Sequence, residues 1–393
     1  MKKVLDFLEK MFLFSPVLVV LISIFNFTDT KSFVSRLSAI VIVYSVVRYR
    51  NTIKTNFQNQ SFRKFLYSSL LISFYFTIMH FWRGDNFGFP RTLLTSIAYL
   101  LVIPWERIPR SWLYSIIVVS AYICGFNALY EHFEMNIGRV GIATNPIPYA
   151  LYCAFLSLSS LYLTKVYLLK WQKCIAIAGS IIALIALVLT DVRGVWVAYP
   201  FILFYVLLNL FPRFSIFKII MFSLLSVGCL YLAFKPALDV RFNRTISEFN
   251  TIMKGNYQTS IGVRLDLWKY GFNKSKEVPI FGMGDEALES GIKTIPNRLA
   301  SKQPHLHNQY IDTLSRYGVL GVIFLLGWLA STFYGSSRTD EPYALTKILV
   351  SLILIASLTD IPFHHTHLVY LFSLIVGSLI LTAPLPHQVE KKG

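Results

Sequence analysis

Apolar residues fall in runs of about 17–22 along most of the chain, separated by short polar connections. A run of that length suits a membrane-crossing helix. At about 1.5 Å per residue it covers a hydrocarbon layer about 30 Å thick, and it bonds its backbone groups internally. About twelve such runs are expected, at 11–27, 33–47, 65–82, 91–104, 112–130, 147–164, 174–190, 194–211, 216–234, 309–334, 344–361 and 366–383. The fourth is short enough to be tilted or partly re-entrant. Between the ninth and tenth lies a long polar segment, 235–308, with its own helical signals. Thr259-Ser260 can cap a helix beginning at Ile261, with Ile261, Leu265, Trp268 and Phe272 on an apolar face and Asp266, Lys269 and Asn273 facing away. The turn-rich stretch Pro279-Ile-Phe-Gly282-Met-Gly284 follows. A helix read from about His307 then places His307, Ile311, Leu314, Gly318 and Gly321 on one stripe, and the glycines would admit another helix closely.

The fold expected is an all-α polytopic membrane protein with about twelve transmembrane helices and one large helical external loop. It divides into helices over 1–234, the loop over 235–308, and helices with a cytoplasmic tail over 309–393. Composition agrees: 55% of residues are hydrophobic and only 15% charged, where a soluble chain carries roughly a quarter. The runs lack the short-period alternation of a transmembrane barrel.

The formal charge of +17 does not call for nucleic acid. Lysines and arginines gather in alternate connections, as at Arg48, Arg50, Lys54, Arg63 and Lys64, and are sparse in the others. By the positive-inside rule this puts both termini in the cytoplasm and 235–308 outside. Cys124, Cys153, Cys174 and Cys229 sit in apolar runs and read as small buried hydrophobes. The first run has no small-residue cleavage site after it and is expected to be a retained span.

Three candidate chemical features fall on the external side. Asp191-Val-Arg193-Gly194 joins the seventh and eighth runs, and its arginine either pairs with Asp191, snorkels or serves a ligand. Arg264 lies on the inner side of the loop helix, where it packs on Trp268 or meets a ligand. His307 with Asn308 opens the tenth run, as a helix cap or as a reactive group. Two guanidiniums in a partly dry place match a diphosphate, because each donates bidentate hydrogen bonds and keeps its proton. A histidine titrating near neutrality suits proton removal from a hydroxyl. The apolar part of the tenth run begins near Tyr317, which puts His307 about 15 Å above the hydrocarbon, at lipid-headgroup height. Asp360, His364 and His365 lie in the last external connection, as a wet loop or as support for His307. His305-x-His307 and His364-His365-x-His367 raise a metal reading, but no carboxylate or cysteine of known ligand spacing accompanies them, so no metal is expected. No phosphate-binding Gly-x-x-x-x-Gly-Lys-Ser/Thr run occurs.

Arg264-Leu-Asp-Leu-Trp268, Pro279-Ile-Phe-Gly-Met-Gly284, and His307-Asn308 followed by nine residues and Gly318-Val-Leu-Gly321 resemble the signature of bacterial O-antigen ligases. These share a superfamily with O-antigen polymerases. Gly138-Arg139-Val-Gly141 through Asn145-Pro146, and Asp191-Val-Arg193-Gly194, are similar to the family's other external segments. The resemblance implies a membrane glycosyltransferase working on the periplasmic face of the inner membrane, without metal or nucleotide cofactor. It implies transfer of a glycan from undecaprenyl diphosphate to a sugar of lipid A–core, inverting at the anomeric carbon. Carried over to this chain, His307 would be the base, and Arg193, Arg264 and, more weakly, Arg139 would bind the diphosphate. Asn308, Trp268, Gly318, Gly321, Asp360 and His364 would support them. The alternatives are the polymerase of the same superfamily and a polysaccharide transporter or flippase. A transporter would carry ionisable residues near the midplane, whereas the candidates here cluster at one face.

Overall fold

A computed structural model describes residues 2–233, 235–333 and 341–382. The expected boundary at 234, the connection before the eleventh run and the tail from 383 fall outside these residues. The helices in chain order are α1 (Lys2–Ile22), α2 (Thr30–Arg48), α3 (Thr52–Gln58), α4 (Gln60–Arg83), α5 (Gly88–Val102), α6 (Arg110–Leu129), α7 (Pro146–Leu163), α8 (Lys170–Leu189), α9 (Arg193–Leu210), α10 (Ile216–Ala233), α11 (Lys235–Met253), α12 (Ser260–Ser275), α13 (Asp285–Ile292), α14 (Gln309–Ser331), α15 (Glu341–Ala356) and α16 (Thr366–Thr382). No strand occurs among the described residues. Every expected apolar run falls on one of these helices, and 7 helices among the described residues are long and apolar enough to cross a membrane. The chain is an α-helical, multi-pass membrane protein.

α7 and α16 form the centre. α7 is buried almost throughout against α6, α8, α9 and α15, and α16 against α1, α4, α5 and α15. Lipid is as apolar as leucine, so such helices are held by close packing and by hydrogen bonds between side chains. Ser157 Oγ meets Tyr199 Oη at 2.8 Å, and Trp328 Nε1 donates to Ser69 Oγ at 2.8 Å. Cys124 and Cys153 are buried as expected, but Cys174 is exposed on the outside of α8; the Cys229 side chain lies outside the described part.

The segment after α10 has a small apolar core of its own, built from Val263, Leu267, Leu288, Ile292, Ile295, Ala300 and Leu306. Thr259 caps α12 as expected, accepting from Gly262 N at 3.0 Å. The buried face of α12 differs from the expected one: Val263 and Leu267 point inward, while Leu265 and Phe272 are exposed. Helical periodicity alone does not say which of two apolar stripes meets the protein. Here Gly271 admits α14, and Ser315 Oγ donates to the Gly271 carbonyl at 3.1 Å.

α14 breaks at Gly318, whose φ of 67° and ψ of −169° are non-helical. That backbone region is essentially restricted to glycine. An unbroken helix would bond Val319 N to Ser315 O and Leu320 N to Arg316 O. Instead the Pro279–Gly284 stretch lies against the break. Val319 N donates to Pro279 O at 2.8 Å and Leu320 N to Ile280 O at 3.4 Å, while Met283 N and Gly284 N donate to Ser315 O and Arg316 O at 2.8 and 3.0 Å. The four groups released by the break are thereby satisfied, as buried backbone requires. The expected stripe is corrected on two counts. Gly318 receives a loop rather than a helix, since a Cβ there would overlap the Ile280 carbonyl, and Gly321 makes room for Tyr317 of its own helix. His307 lies before the helix, not on it.

Candidate functional site

α14 starts at Gln309 because Asn308 caps it, its side-chain oxygen accepting from Tyr310 N at 3.0 Å and Ile311 N at 3.1 Å. Asn308 Nδ2 donates to Leu358 O at 2.9 Å, and Gln309 N reaches Ser357 O and Asp360 O, each at 2.9 Å. The start of α14 is therefore seated on the turn between α15 and α16. Asn308→Ala removes the cap and that tie. We expect about 1–2 kcal/mol of lost stability, read as a lower melting temperature of the purified protein.

His307, just ahead of the cap, adopts φ 51°, a left-handed conformation uncommon outside glycine, though histidine enters it more readily than most side chains. Its neighbours hold it there. Trp268 Nε1 on α12 donates to the His307 carbonyl at 3.3 Å, and His307 N donates to His305 Nδ1 at 3.3 Å. Arg316, buried in α14, fixes the same segment from below. It bonds Asp312 at 2.9 Å, Asp285 at 2.7 Å and the Pro304 carbonyl at 3.1 Å, and Asp312 Oδ1 in turn accepts from Leu306 N at 3.1 Å.

The His307 ring is poised between two partners. Nε2 lies 3.1 Å from Gln303 Oε1, an oxygen that only accepts. With Nε2 donating to that oxygen, the neutral form of the ring carries its lone pair on Nδ1. Nδ1 is buried without a hydrogen-bond partner and lies 3.7 Å from Asp360 Oδ1. Asp360 is buried, so the wet-loop reading fails for it. Burial favours its neutral form, but His307, His305 and the Ile361 N–H outweigh that and hold its pKa below the usual carboxylate range. His305 is pushed down to about 2, first by burial and then by the neighbouring imidazole of His307. His365 is pushed down to about 4 by burial and by His364. His364 is exposed and touches His305 rather than His307, with ring centroids 5.7 Å apart.

Arg139 and Arg264 each feel the charges of Asp360 and of Arg193. Arg193 opens α9. Gly194 beside it has no room for a Cβ, which would overlap Thr359 Oγ1, so the start of α9 abuts the turn bearing Asp360. Arg193 bonds Thr245 Oγ1 at 2.9 Å and Glu248 Oε1 at 3.1 Å on α11. Of the readings open for Arg193, pairing with a carboxylate is met by Glu248. Glu248 Oε2 also accepts from Ile261 N at 3.0 Å and so joins α9 to the start of α12, which carries Arg264. Arg264 donates from Nη1 to Ser260 Oγ at 3.2 Å, while its Nε is buried with no partner. Arg139 is more open, its Nε donating to the Thr190 carbonyl at 3.1 Å. Its loop is held by buried Glu131, which accepts from Ile142 N at 3.4 Å and from Asn127 Nδ2 at 3.0 Å. The pKa values of Arg139 and Arg264 are both lowered, first by lost hydration, with Asp360 opposing and the charge of Arg193 adding. The three cations thus influence one another in a partly dry space, with Arg193 paired to Glu248.

Sequence reading singled out His307, Arg139, Arg193, Arg264, Trp268, Asn308 and Asp360, and the fold brings all of them to one end of the bundle. It missed Glu248, Glu131, Gln303, Asp312 and Arg316. A signal was present for the last two: opposite charges four residues apart inside an otherwise apolar helix demand partners. It also missed Arg83 and Asp85. Arg83 donates to Phe281 O and Gly282 O at 3.0 and 2.8 Å, and Asp85 accepts from Asp285 N at 2.8 Å, pinning the Pro279–Gly284 stretch to the α4–α5 turn.

The family described as O-antigen ligase matches residues 178–326, from α8 through α9, α12 and the break in α14. The chain is 26% identical over 306 residues to an uncharacterised protein of Haemophilus influenzae, covering 74% of this chain and 75% of that one. It is 24% identical over 240 residues to an O-antigen ligase of Escherichia coli K12, covering 57% of this chain and 56% of that relative. The chain is thus similar to the O-antigen ligase family over residues 178–326, and both this match and the Escherichia coli relative support a place in the O-antigen ligase/polymerase superfamily.

Proposed function

We propose that the protein is an O-antigen ligase that transfers a glycan from undecaprenyl diphosphate to a hydroxyl of lipid A–core. The observation that carries the proposal is that Arg139 and Arg264 feel both Arg193 and Asp360, the carboxylate 3.7 Å from His307 Nδ1, with Arg264 Nε and His307 Nδ1 both buried and unpaired. A buried donor and a buried lone pair without partners call for a ligand. In this reading the diphosphate accepts from the guanidiniums, and the acceptor hydroxyl lies against His307 Nδ1. The hydroxyl oxygen attacks the anomeric carbon from the face opposite the phosphate. Its proton passes to Nδ1, the bond from the anomeric carbon to phosphate oxygen breaks, and the diphosphate leaves with the bonding pair. Asp360 stabilises the imidazolium, and the fixed arginines stabilise the leaving charge. Inversion follows from single displacement.

The site then belongs to the periplasmic face. Basic residues gather in the connections at the opposite end, which supports cytoplasmic termini in the twelve-span inner-membrane arrangement proposed here. Residues 235–308 act as a periplasmic cover bearing Arg264 and Trp268, between the helices of 1–234 and those of 309–393. Phosphate charge is met by arginine, so EDTA is expected to leave the transfer rate unchanged; a loss restored by magnesium would contradict this.

The deciding test is reconstitution with purified carrier-linked glycan and lipid A–core. Polymer joined to core supports the ligase. Extension of one carrier-linked glycan by another, with no product on core, identifies the polymerase instead. Deletion in the cell separates them too: loss of a ligase leaves core bare while carrier-linked polymer accumulates, and loss of a polymerase leaves core with a single repeat.

A further inference from the structure

His305, His307 and Asp360 come together although Asp360 is remote in sequence from the histidines. One ligand-capable atom from each lies within 4.8 Å of the others. His305 and Asp360 are buried, and their polar atoms face a half-buried His307 whose Nδ1 has no hydrogen-bond partner. The rings of His305 and His307 stand edge to face with centroids 4.2 Å apart. Two imidazoles and one carboxylate are the donor set of a zinc-class ion with an open fourth position. Magnesium and calcium are poorly served, because they require six or more oxygen ligands or several retained waters. At zinc bond lengths of about 2.0–2.2 Å the ligand atoms would draw in by roughly an ångström. The Asn308 cap and the Trp268 contact hold the backbone while the side chains move.

We propose that His305, His307 and Asp360 form a site for a zinc-class divalent ion, and that the ion switches the protein off. The His307 lone pair that would take the acceptor's proton is the same one that would bind the metal, so the two uses exclude each other. The inhibitory half rests on the base assignment made above; binding does not. No group transfer is involved, only coordination by neutral imidazoles and a carboxylate.

The test uses untagged, chelator-stripped full-length protein in detergent. Zinc is titrated calorimetrically, and cobalt(II) is followed by its visible absorption as a report of coordination geometry. Wild type is expected to bind one ion, with the cobalt spectrum of a four-coordinate site. His305→Asn and Asp360→Asn are each expected to weaken binding at least about tenfold, while His364→Asn keeps it. A melting scan without metal shows which variants are folded, and His305→Asn suffices if Asp360→Asn is not. In the transfer assay zinc is expected to inhibit wild type reversibly, with EDTA restoring the rate, and His305→Asn is expected to resist at the same zinc concentration. No binding by wild type, or equal binding by wild type, His305→Asn and Asp360→Asn, overturns the site. Zinc that binds at this site without slowing transfer overturns the switch and, with it, the assignment of His307 as base. Transfer absent from wild type both without metal and with it would count against the ligase reading alone and leave the binding result standing; transfer that appears only when zinc is added would overturn the switch.

Discussion

His307→Ala is expected to lower glycosyl transfer by about 10²–10⁴-fold, the usual contribution of a positioned general base, while carrier binding changes less than about twofold. The expectation follows from the ring's surroundings. Its Nδ1 lone pair is unpaired and faces Asp360 at 3.7 Å, so proton uptake creates an ion pair where a neutral ring had none. The side chain makes its remaining polar contact with Gln303, and the backbone is held independently through Trp268 and Asn308. Removing the ring therefore removes chemistry more than structure. The check is single-turnover transfer with purified donor and acceptor. Asp360→Asn should lie between wild type and His307→Ala, because it keeps the shape of the turn but not the charge that stabilises the imidazolium.

Gly318→Ala is expected to disable the protein without touching any proposed ligand contact. The backbone there has φ 67° and ψ −169°, and an added Cβ would overlap the Ile280 carbonyl. A residue other than glycine in such a conformation costs about 1–3 kcal/mol before any clash is counted. Relief by straightening α14 would strand the polar groups of Pro279–Gly284 that now pair with the break. Both routes loosen the segment tied to Arg83 and Arg316, and the second of these fixes the approach to His307. The measurement is the melting temperature and transfer rate of purified Gly318→Ala against Gly327→Ala. Gly327 lies in the same helix with open space at its Cβ position, so that substitution should be neutral or stabilising. Equal behaviour of the two variants would sink the structural role of the break.

The membrane helices were legible because a long apolar run fixes its own structure: its backbone bonds are internal, and no partner has to be known. The same locality made the Thr259 cap readable. Features that depend on partners were not. Gly318 reads equally as a contact point for a helix and as a break, and only the docked Pro279–Gly284 stretch decides between them. The inward face of α12 was misjudged because Leu265 and Phe272 are apolar yet outside, and periodicity does not rank two apolar stripes. α11 was overlooked because its residues are mixed in polarity, although Glu248 on it holds both Arg193 and the start of α12. The approach of Asp360 to His307 depends on how α9, α14 and the α15–α16 turn pack together, and no spacing rule reports that. Its only trace in the sequence is an acidic residue in otherwise apolar surroundings, which is costly unless it is paired.

The central claim is that three arginines from separate elements form one diphosphate site beside His307. It is tested most directly by the affinity of purified protein for undecaprenyl diphosphate, compared across wild type, Arg139→Ala, Arg193→Ala and Arg264→Ala. Each charge-assisted contact contributes about 1.5–3 kcal/mol, so Arg193→Ala and Arg264→Ala should each weaken binding by roughly tenfold to a hundredfold, and the more open Arg139→Ala by less. Binding within about twofold of wild type for all three would contradict the account.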